Sequence, residues 1–595
     1  MKKLIIINII LIIISLIIFF PRSIEHGIVL NSNSKSINVI INGKEKKYIY
    51  EGSTFPKFTV INFKYNLLKA YDFEIVNPIE DRIMLKTSSY YDMENSGQIN
   101  LSKKKFFYNI DKNNNISLGK AKDIIIGKNN IKSFKNKKGE LKTFIVFPID
   151  YTTIRVGLSS TNFSSIYHKN MKIKCNTNSK LYSIRDKFSI DIPKESIIFI
   201  EPKDKNLKIT INNTNVLFKN RVYLSGNDLS IESLERGNPS FTPVYNGIVE
   251  FNILKNGMTV INEVNIEDYL SKVVPSEMPS FGGIEALKCQ AVAARTYAIS
   301  DMISNRFENL GFHVDDSTKS QVYNNIEQNS LATEAVISTK GIIMTYKDNP
   351  IDAKYYSTSA GTGADYKDVW FKADGTSDNK PYIQNNNYLI PKKELPKSEK
   401  EWLDFFKNTN IKAIDSNYPY FRWKVEYSKS GITTALNKTL KNLYSVENYR
   451  DYITVYKNSK KIKEMPILKD IKDIKILKRG KSGIVKEISF IFSNAVVNVQ
   501  GDSYIRSSIK CNEQYTNEKT VLIRQNGTSL TNIASLPSSF FSVEKNEKGF
   551  ILYGGGFGHG AGMSQYGAIE LSKNGIKYKD ILNIFYKGIN IESIY

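Results

Sequence analysis

The strongest hydrophobic pattern in the sequence is a single apolar run at its start. Leu4–Phe20 is interrupted only by Asn8 and Ser15, follows two lysines, and ends at Pro21-Arg22. At ~1.5 Å per residue, such a helix nearly spans a hydrocarbon core of ~30 Å. No small-x-small cleavage site follows the run. We therefore predict that residues 1–22 are an uncleaved signal anchor, with the lysines in the cytoplasm and the rest exported.

Alternation of apolar and polar positions dominates the stretch after this run. Ser36–Tyr50 alternates on both sides of Asn42-Gly43 and predicts a β-hairpin. Lys103–Lys105 is predicted to lie in a loop. Similar short strands continue through residues 151–243. We expect a β-rich module of unknown role at 24–150, serving as a wall-binding or spacer module, and a β-rich lead-in at 151–243.

Helical spacing becomes prominent after residue 283. A hairpin over Tyr245–Val264 and a short helix over Ile266–Val273 precede a long helix that begins near Ile284. Its apolar stripe consists of Leu287, Ala291, Ala294, Ala298 and Met302. The mixture predicts an α+β domain at 244–595, preceded by the β-rich modules and the anchor. Residues 373–480 form an elaboration of mostly loops, with one helix near Thr433–Leu443.

A carboxylate precedes the long helix between two prolines. Each proline restricts the residue before it, so Glu277, between Pro275 and Pro279, is predicted to lie on a stiff loop outside a helix interior. A general acid or base needs such a fixed position. On spacing alone, a solvated loop carboxylate is the favoured interpretation.

The second unusual stretch is the glycine-dense segment Tyr553–Gly567. A strand enters it, and a helix from about Ser564 to Lys573 leaves it, capped by Asn574-Gly575. Its Gly-x-Gly-x-x-Ala pattern fits a dinucleotide fingerprint, but no βαβ unit follows, so we reject a nucleotide site. His559 lies in the middle of the loop and is equally compatible with a structural or a functional role.

These two stretches carry a resemblance to a known family. Val274–Pro279 followed by Glu285–Ala298, together with the loop Gly556–Ala568, resembles the signature of the SpoIID/LytB family of bacterial cell-wall proteins. Cys289 departs from the alanine expected there. The resemblance implies a SpoIID-like core of mixed sheet and helices over about residues 153–595. It also implies that Glu277 is the catalytic acid/base of a peptidoglycan lytic transglycosylase.

The resemblance also implies a glycan cleft. Its candidate substrate-binding residues are Gln290, Arg295, Gln321, Tyr323, Ser357, Ser359, His559, Ser564 and Gln565. The stretch Asp315–Tyr323 aligns with a zinc-binding segment of some relatives, but Asp315, Lys319 and Ser320 replace its ligands. The nearby His313 alone is not a metal site, so we predict neither metal nor cofactor.

Composition and charge restrict the possible partners and the cysteine chemistry, but they identify no catalytic group. The 595 residues carry a formal net charge of +24, which suits the polyanions of a cell wall and also suits a lysine-rich composition in general. We exclude nucleic acid as a partner because the chain is predicted to be exported. The cysteines, Cys175, Cys289 and Cys511, are too few and too scattered for a disulfide framework, and we expect buried thiols.

The preferred hypothesis is therefore a single-pass membrane protein with its catalytic part on the cell-wall side, cleaving glycan strands during sporulation or engulfment. The alternative is a non-enzymatic amidase enhancer with an N-acetylmuramoyl-L-alanine amidase, or another engulfment protein, as partner. A hydrolytic muramidase would need a second carboxylate. Asp316, Asp365 and Asp368 are the candidates for it.

Overall fold

The computed structural model describes residues 2–327 and 329–594, with side chains from Ile5 onward. The architecture is mixed α+β, as predicted, and divides into two compact units. The first comprises Met1–Ile266 with Asp301–Asn325, and the second comprises Glu267–Ser300 with Ile326–Tyr595. Neither unit boundary tests the predicted division at residues 150 and 243, which stays a prediction.

The first unit begins with helix α1 (Lys2–Phe19), whose apolar side chains from Ile5 to Phe19 are exposed apart from a half-buried Ile18. Across residues 2–327 and 329–594, no helix has the length and hydropathy needed to cross a membrane. The signal anchor stays a prediction.

Two antiparallel or mixed sheets follow α1. The first has the order β3-β2-β1-β4-β5 and contains the predicted hairpin at Asn42-Gly43. Its strands are β1 (Arg22–Ser32), β2 (Ser36–Ile41), β3 (Lys44–Ile49), β4 (Val60–Tyr65) and β5 (Ala70–Ile75). The second has the order β10-β11-β8-β7-β6, with β9 beside β8. Its strands are β6 (Ile83–Lys86), β7 (Tyr90–Met93), β8 (Gly97–Ile110), β9 (Ile116–Leu118), β10 (Ile131–Lys135) and β11 (Leu141–Val146).

The predicted loop at Lys103–Lys105 is wrong, because these residues lie within β8. This strand pairs with β7 along one part of its length and with β11 along another. The register pairs of β8 lie before and after the lysines, at 97–101 and 106–110, so the strand continues through Lys103–Lys105 at an irregularity of the ladder.

A twelve-stranded sheet completes the first unit. The main path runs β19-β18-β17-β14-β20-β21-β22-β12-β23. Its strands are β12 (Thr153–Gly157), β13 (Tyr167–His168), β14 (Met171–Cys175), β15 (Ser179–Ser183), β16 (Phe188–Ile192), β17 (Ile197–Lys203), β18 (Asn206–Ile211), β19 (Thr214–Phe218), β20 (Val222–Ile231), β21 (Val244–Leu254), β22 (Gly257–Asn265) and β23 (Val314–Asp315). The hairpin β21–β22 confirms the one predicted over Tyr245–Val264.

Buried ion pairs join the second and third sheets of this unit. Arg155 on β12 donates to Glu263 at 2.5 Å and to Glu250 at 2.7 Å. Glu263 also accepts from Arg82, just before β6, and Glu250 contacts Arg221, just before β20. Arg155 and Glu250 are essentially inaccessible to water. The two arginines hold the pKa of Glu263 below its ordinary value, although its burial opposes this shift.

The second unit contains smaller sheets and most of the helices. Its strands are β24 (Ile342–Tyr346), β25 (Asn349–Pro350), β26 (Tyr355–Tyr356), β27 (Thr362–Gly363), β28 (Asn386–Asn387), β29 (Trp423–Ser428), β30 (Ile453–Lys457), β31 (Lys460–Ile462), β32 (Ile471–Arg479), β33 (Val485–Phe492), β34 (Val496–Gln500), β35 (Val521–Arg524), β36 (Ser529–Thr531), β37 (Phe541–Lys545), β38 (Gly549–Gly554), β39 (Met563–Ser564) and β40 (Asn590–Ser593).

The helices after α1 are α2 (Ile266–Glu277), α3 (Gly283–Ser304), α4 (Ser330–Ser338), α5 (Tyr366–Val369), α6 (Glu399–Lys407), α7 (Lys429–Ser445), α8 (Glu447–Arg450), α9 (Asp502–Ser508), α10 (Glu513–Thr516), α11 (Gln565–Lys573) and α12 (Tyr578–Phe585). Helix α7 confirms the helix expected near Thr433–Leu443. The rest of 373–480 is more regular than predicted, since it also holds α6, with a capping box from Ser398 and Glu401.

Candidate functional site

Glu277 lies at the end of a helix, and the predicted loop around it is wrong. It is the last residue of α2, and Pro275 lies inside the last turn of that helix. Pro275 removes one intrahelical donor so close to the end that the helix continues, and the Met278 N–H closes the turn on the Val274 carbonyl at 2.9 Å. Pro279 is extended and ends the helix. The carboxyl is therefore fixed by a helix end rather than by a loop.

The long helix behind Glu277 is buried on every side. The predicted stripe from Leu287 to Met302 is fully buried, and so are Cys289, Val292 and Ile299 on other faces. A helix without a polar face is typical of a core element. Helix α3 therefore provides a rigid support for the residues that precede it.

The glycine-dense segment reaches Glu277 through one amide side chain. Gln565, the first residue of α11, donates from Nε2 to the Glu277 carbonyl at 3.0 Å and lies 3.2 Å from Oε1 of Gln290 on α3. Gln290 is fully buried, and its Nε2 has no hydrogen-bond partner among the described residues. Two predicted cleft residues thus hold the backbone of the predicted acid.

A buried carboxyl that the sequence analysis missed organises the start of α11. Asp415 accepts hydrogen bonds from the N–H and Oγ of Ser359, both at 2.7 Å, and from Oγ of Ser564 at 2.8 Å. Ser564 also caps α11 by accepting from the Gly567 N–H. Burial raises the pKa of Asp415, and these hydrogen bonds oppose the shift. Ser359 and Ser564 are buried, so this network positions Gln565 rather than facing solvent.

The segment that contains Ser357 and Ser359 begins with β26, which pairs in parallel with β39. This pairing sets Tyr356 beside Ser564, and the Tyr566 N–H donates to the Ser357 carbonyl at 3.0 Å. The Ser357 side chain is half-buried and lies 3.2 Å from the Thr358 hydroxyl. Of the two serines predicted to line the cleft, Ser357 is partly accessible to solvent and Ser359 is buried.

His559 sits among aromatic rings. Its ring centroid lies 4.8 Å from Trp370 and 5.7 Å from Tyr356, and its Nδ1 accepts from the Ala561 N–H. Burial, with smaller contributions from Lys354 and Arg506, lowers the pKa of His559 to about 3. The imidazole is therefore neutral near pH 7, with its proton on Nε2, and is suited to hydrogen bonding rather than to charge.

Arg295 has a structural environment. Its guanidinium makes a two-pronged pair with Glu267 on α2, at 3.0 and 2.6 Å, and donates to the Ile342 carbonyl. Arg295 is fully buried. It links α2 to α3, and its predicted place in the cleft stays a prediction.

Gln321 and Tyr323 belong to the first unit and are almost fully buried there. The Tyr323 hydroxyl donates to Oδ1 of Asn262 at 3.0 Å, and its ring packs edge-on against Tyr245.

His313 in the first unit accepts from the Arg155 N–H and contacts the Ile126 carbonyl. In residues 2–327 and 329–594, no three His, Cys, Asp or Glu side chains cluster as metal ligands.

The carboxylates considered as second catalytic groups are engaged elsewhere. Asp316 is buried against Arg236 at 2.7 Å, and Asp368 pairs with Lys486 at 2.6 Å. Asp365 accepts from the side chain and backbone of Asn385. Each therefore has a structural partner.

Five aromatic residues near the chain segments of the site are exposed or half-buried. Phe281 is 59% exposed and lies 6.4 Å from Tyr566, which lies 4.1 Å from Tyr418. A second pair, Tyr420 and Phe557, is stacked at 4.5 Å. We call these five residues the aromatic surface. Ring faces that reach solvent offer apolar contact to flat, weakly polar ligands.

Together these features define a candidate acid–base site in an α+β protein, in which the amide of Gln565 binds the backbone of Glu277 and the exposed ring of Phe281 lies four residues further along the chain. Residues 254–346 match the family model described as SpoIID: Stage II sporulation protein. The resemblance to the SpoIID/LytB family is thereby confirmed.

Three relatives extend this comparison. The chain is 29% identical over 331 residues to the amidase enhancer of Bacillus subtilis, an alignment covering 54% of this chain and 40% of that protein. It is 28% identical to an uncharacterized protein of Brachyspira hyodysenteriae, in an alignment that covers 67% of this chain and 83% of that protein. It is 26% identical to stage II sporulation protein D of Bacillus amyloliquefaciens, in an alignment that covers 56% of this chain and 75% of that protein. The chain thus spans well under half of the amidase enhancer.

Proposed function

We propose that this chain is a peptidoglycan lytic transglycosylase that uses Glu277 as its acid and base. The observation that carries the proposal is the convergence of the family's motifs: Gln565, from the glycine-dense segment, binds both the Glu277 backbone and Gln290 on α3. A site for proton transfer needs this kind of fixed support.

The chemistry requires one carboxyl. The Glu277 proton goes to the glycosidic oxygen while the bond from that oxygen to the muramyl C1 breaks. The muramyl C6 hydroxyl then bonds to C1 and returns its proton to Glu277, which gives a 1,6-anhydro end without consuming water. Glu277 is the last residue of α2, and the helix end fixes the position from which its proton would be delivered.

The aromatic surface supports a glycan as substrate. Phe281 and Tyr566 follow Glu277 and Gln565 closely in the chain, and sugar rings present flat faces of C–H groups that pack on aromatic rings. The half-buried hydroxyl of Ser357 and the neutral His559 add hydrogen-bonding groups nearby. The substrate-binding role predicted for Gln321 and Tyr323, which belong to the first unit, stays a prediction.

We further propose that the chain is attached to a membrane through residues 1–22 and acts on the cell-wall side. The support is the exposed surface of α1 from Ile5 onward, which is apolar apart from Asn8 and Ser15. A helix without a polar face is not stable when surrounded by water.

The test is mass spectrometry of purified glycan strands incubated with the full chain in detergent, alongside Glu277→Gln. We expect anhydromuramyl ends from the wild-type protein and none from the variant. Reducing ends would replace the proposal with hydrolysis. The variant keeps the size of the side chain and removes only its acidity, so retained glycan binding is the control for folding.

A second candidate function is that of an amidase enhancer, favoured by the relative that bears this name. In that case the chain would bind the wall and stimulate a separate amidase. Absence of any cleavage product from the wild-type protein, with glycan binding intact and amidase activity raised on its addition, would favour this function.

A further inference from the structure

An apolar hairpin tip lies beside the end of α1. The turn between β4 and β5 carries Leu67 and Leu68, which are 58% and 52% exposed. Two adjacent exposed leucines on a turn are unusual, since turns in water favour polar residues. Phe20, immediately after α1, is also exposed. The tip and the end of the helix therefore both present apolar side chains to solvent.

A backbone hydrogen bond fixes the tip at this end of the helix. The Leu67 N–H donates to the Ile18 carbonyl at 3.2 Å. The turn itself is ordered by Asn66, whose side-chain oxygen accepts from the N–H groups of Leu68 and Lys69, both at 2.9 Å. The two leucines are thus held in place rather than carried on a loose loop.

Charged groups surround the apolar tip. Arg22 begins β1 and is exposed, and Lys64 and Lys69 flank the turn. Lys64 pairs with Asp72 at 2.8 Å, and Lys69 lies 3.7 Å from Glu51, all at solvent-exposed positions. Such pairs are weak in water, so the lysines remain available to anionic groups. Leucines ringed by Arg and Lys fit the border between lipid tails and phosphate headgroups.

We propose that Leu67 and Leu68 enter the same lipid surface as α1 and form a second membrane contact. The inference rests on the proposed membrane attachment and is independent of the glycan chemistry. Lipid is the occupant that continuity indicates, because the tip is bonded to the end of a helix that is apolar on all sides. Attachment through α1 alone would leave the first sheet free to rotate relative to the membrane. Contacts through both α1 and the turn between β4 and β5 would fix its orientation.

The test places a fluorescent label at Leu68→Cys in the full chain bound to vesicles of phosphatidylcholine and phosphatidylglycerol. Cys175, Cys289 and Cys511 are buried and do not compete for the label. The matched control is Ile75→Cys, an exposed apolar position at the other end of β5, ~17 Å from the tip at ~3.3 Å per residue. We expect spin-labelled lipid to quench the Leu68 label and to leave the Ile75 label bright.

Equal responses of the two labels on vesicle-bound protein would overturn the inference. Loss of quenching accompanied by cross-linking of two tips would assign the surface to a second copy of the chain instead. Vesicle flotation measures attachment separately, so a chain that does not float refutes the attachment itself. Replacing Lys69 by Glu should reduce quenching at Leu68 on the anionic vesicles, and an unchanged signal would argue against the headgroup contact.

Discussion

In the first unit, the buried centre beside β12 is built from full charges, with Arg155 bonded to Glu250 and Glu263. In the second unit, the backbone carbonyl of Glu277 accepts from the neutral amide of Gln565, which also donates to Gln290. Both sets are buried and bonded. They differ in what happens when a proton is added or removed nearby.

The contrast separates two uses of polarity. Charged pairs resist titration, because each partner stabilises the ionised form of the other. They therefore suit a joint between sheets that must not change with pH. Neutral groups fix a backbone without imposing a charge on the carboxyl they support. A residue that must both lose and regain a proton is better served by the second arrangement.

The largest expected effect comes from breaking the charged centre. Glu250→Ala leaves Arg155 and Arg221 buried with one partner fewer, which should lower the free energy of unfolding by about 3–5 kcal/mol. Denaturant titration of the full chain measures the change. The control is Glu394→Ala, which breaks an exposed pair with Lys397 and should change the free energy of unfolding far less, because exposed pairs are weak in water. Similar losses in both variants would refute the contrast.

The neutral support is tested through activity. Gln565→Leu keeps the bulk of the side chain but leaves the Glu277 carbonyl without its donor, so a small displacement of the acid should lower the rate of glycan cleavage by about 10–100-fold. Initial rates on purified strands measure it. Asn574→Ala, at the other end of α11, serves as the control with a near wild-type rate. If both variants cleave equally well, the support assigned to Gln565 is wrong.

The smallest expected effect is on the pH dependence of stability, and it concerns His313, a neutral buried group in the first unit. Burial lowers the pKa of His313 to about 3. Since an unfolded histidine binds protons below its ordinary value of ~6.5, the folded state loses about 2 kcal/mol between pH 7 and pH 5. His313→Gln should shrink the fall in melting temperature over this interval, followed by calorimetry. An unchanged fall would place the acid-sensitive group elsewhere, with His559 the next to test.

Local patterns predicted much of the fold but little of the support around the site. The hairpin β21–β22, the stripe of α3 and the capped helix α11 depend on neighbouring residues and were predictable. Pro275 was misleading because its usual effect on a helix is weaker in the last turn. No sequence pattern around Asp415 indicated its role, because it lies in the stretch predicted to be an elaboration. Its role depends on hydrogen bonds from Ser359 and Ser564, which are distant in sequence.

The long chain separation between Glu277 and Gln565 has a consequence for biosynthesis. The two residues are 288 positions apart in sequence, yet one hydrogen bond joins them. A ribosome releases the segment with Gln565 only after the acid has long been made, so a growing or interrupted chain lacks the support for its carboxyl. A protein proposed to cut the wall of its own cell would thus become active only once synthesis has passed Gln565 and the two segments have folded together.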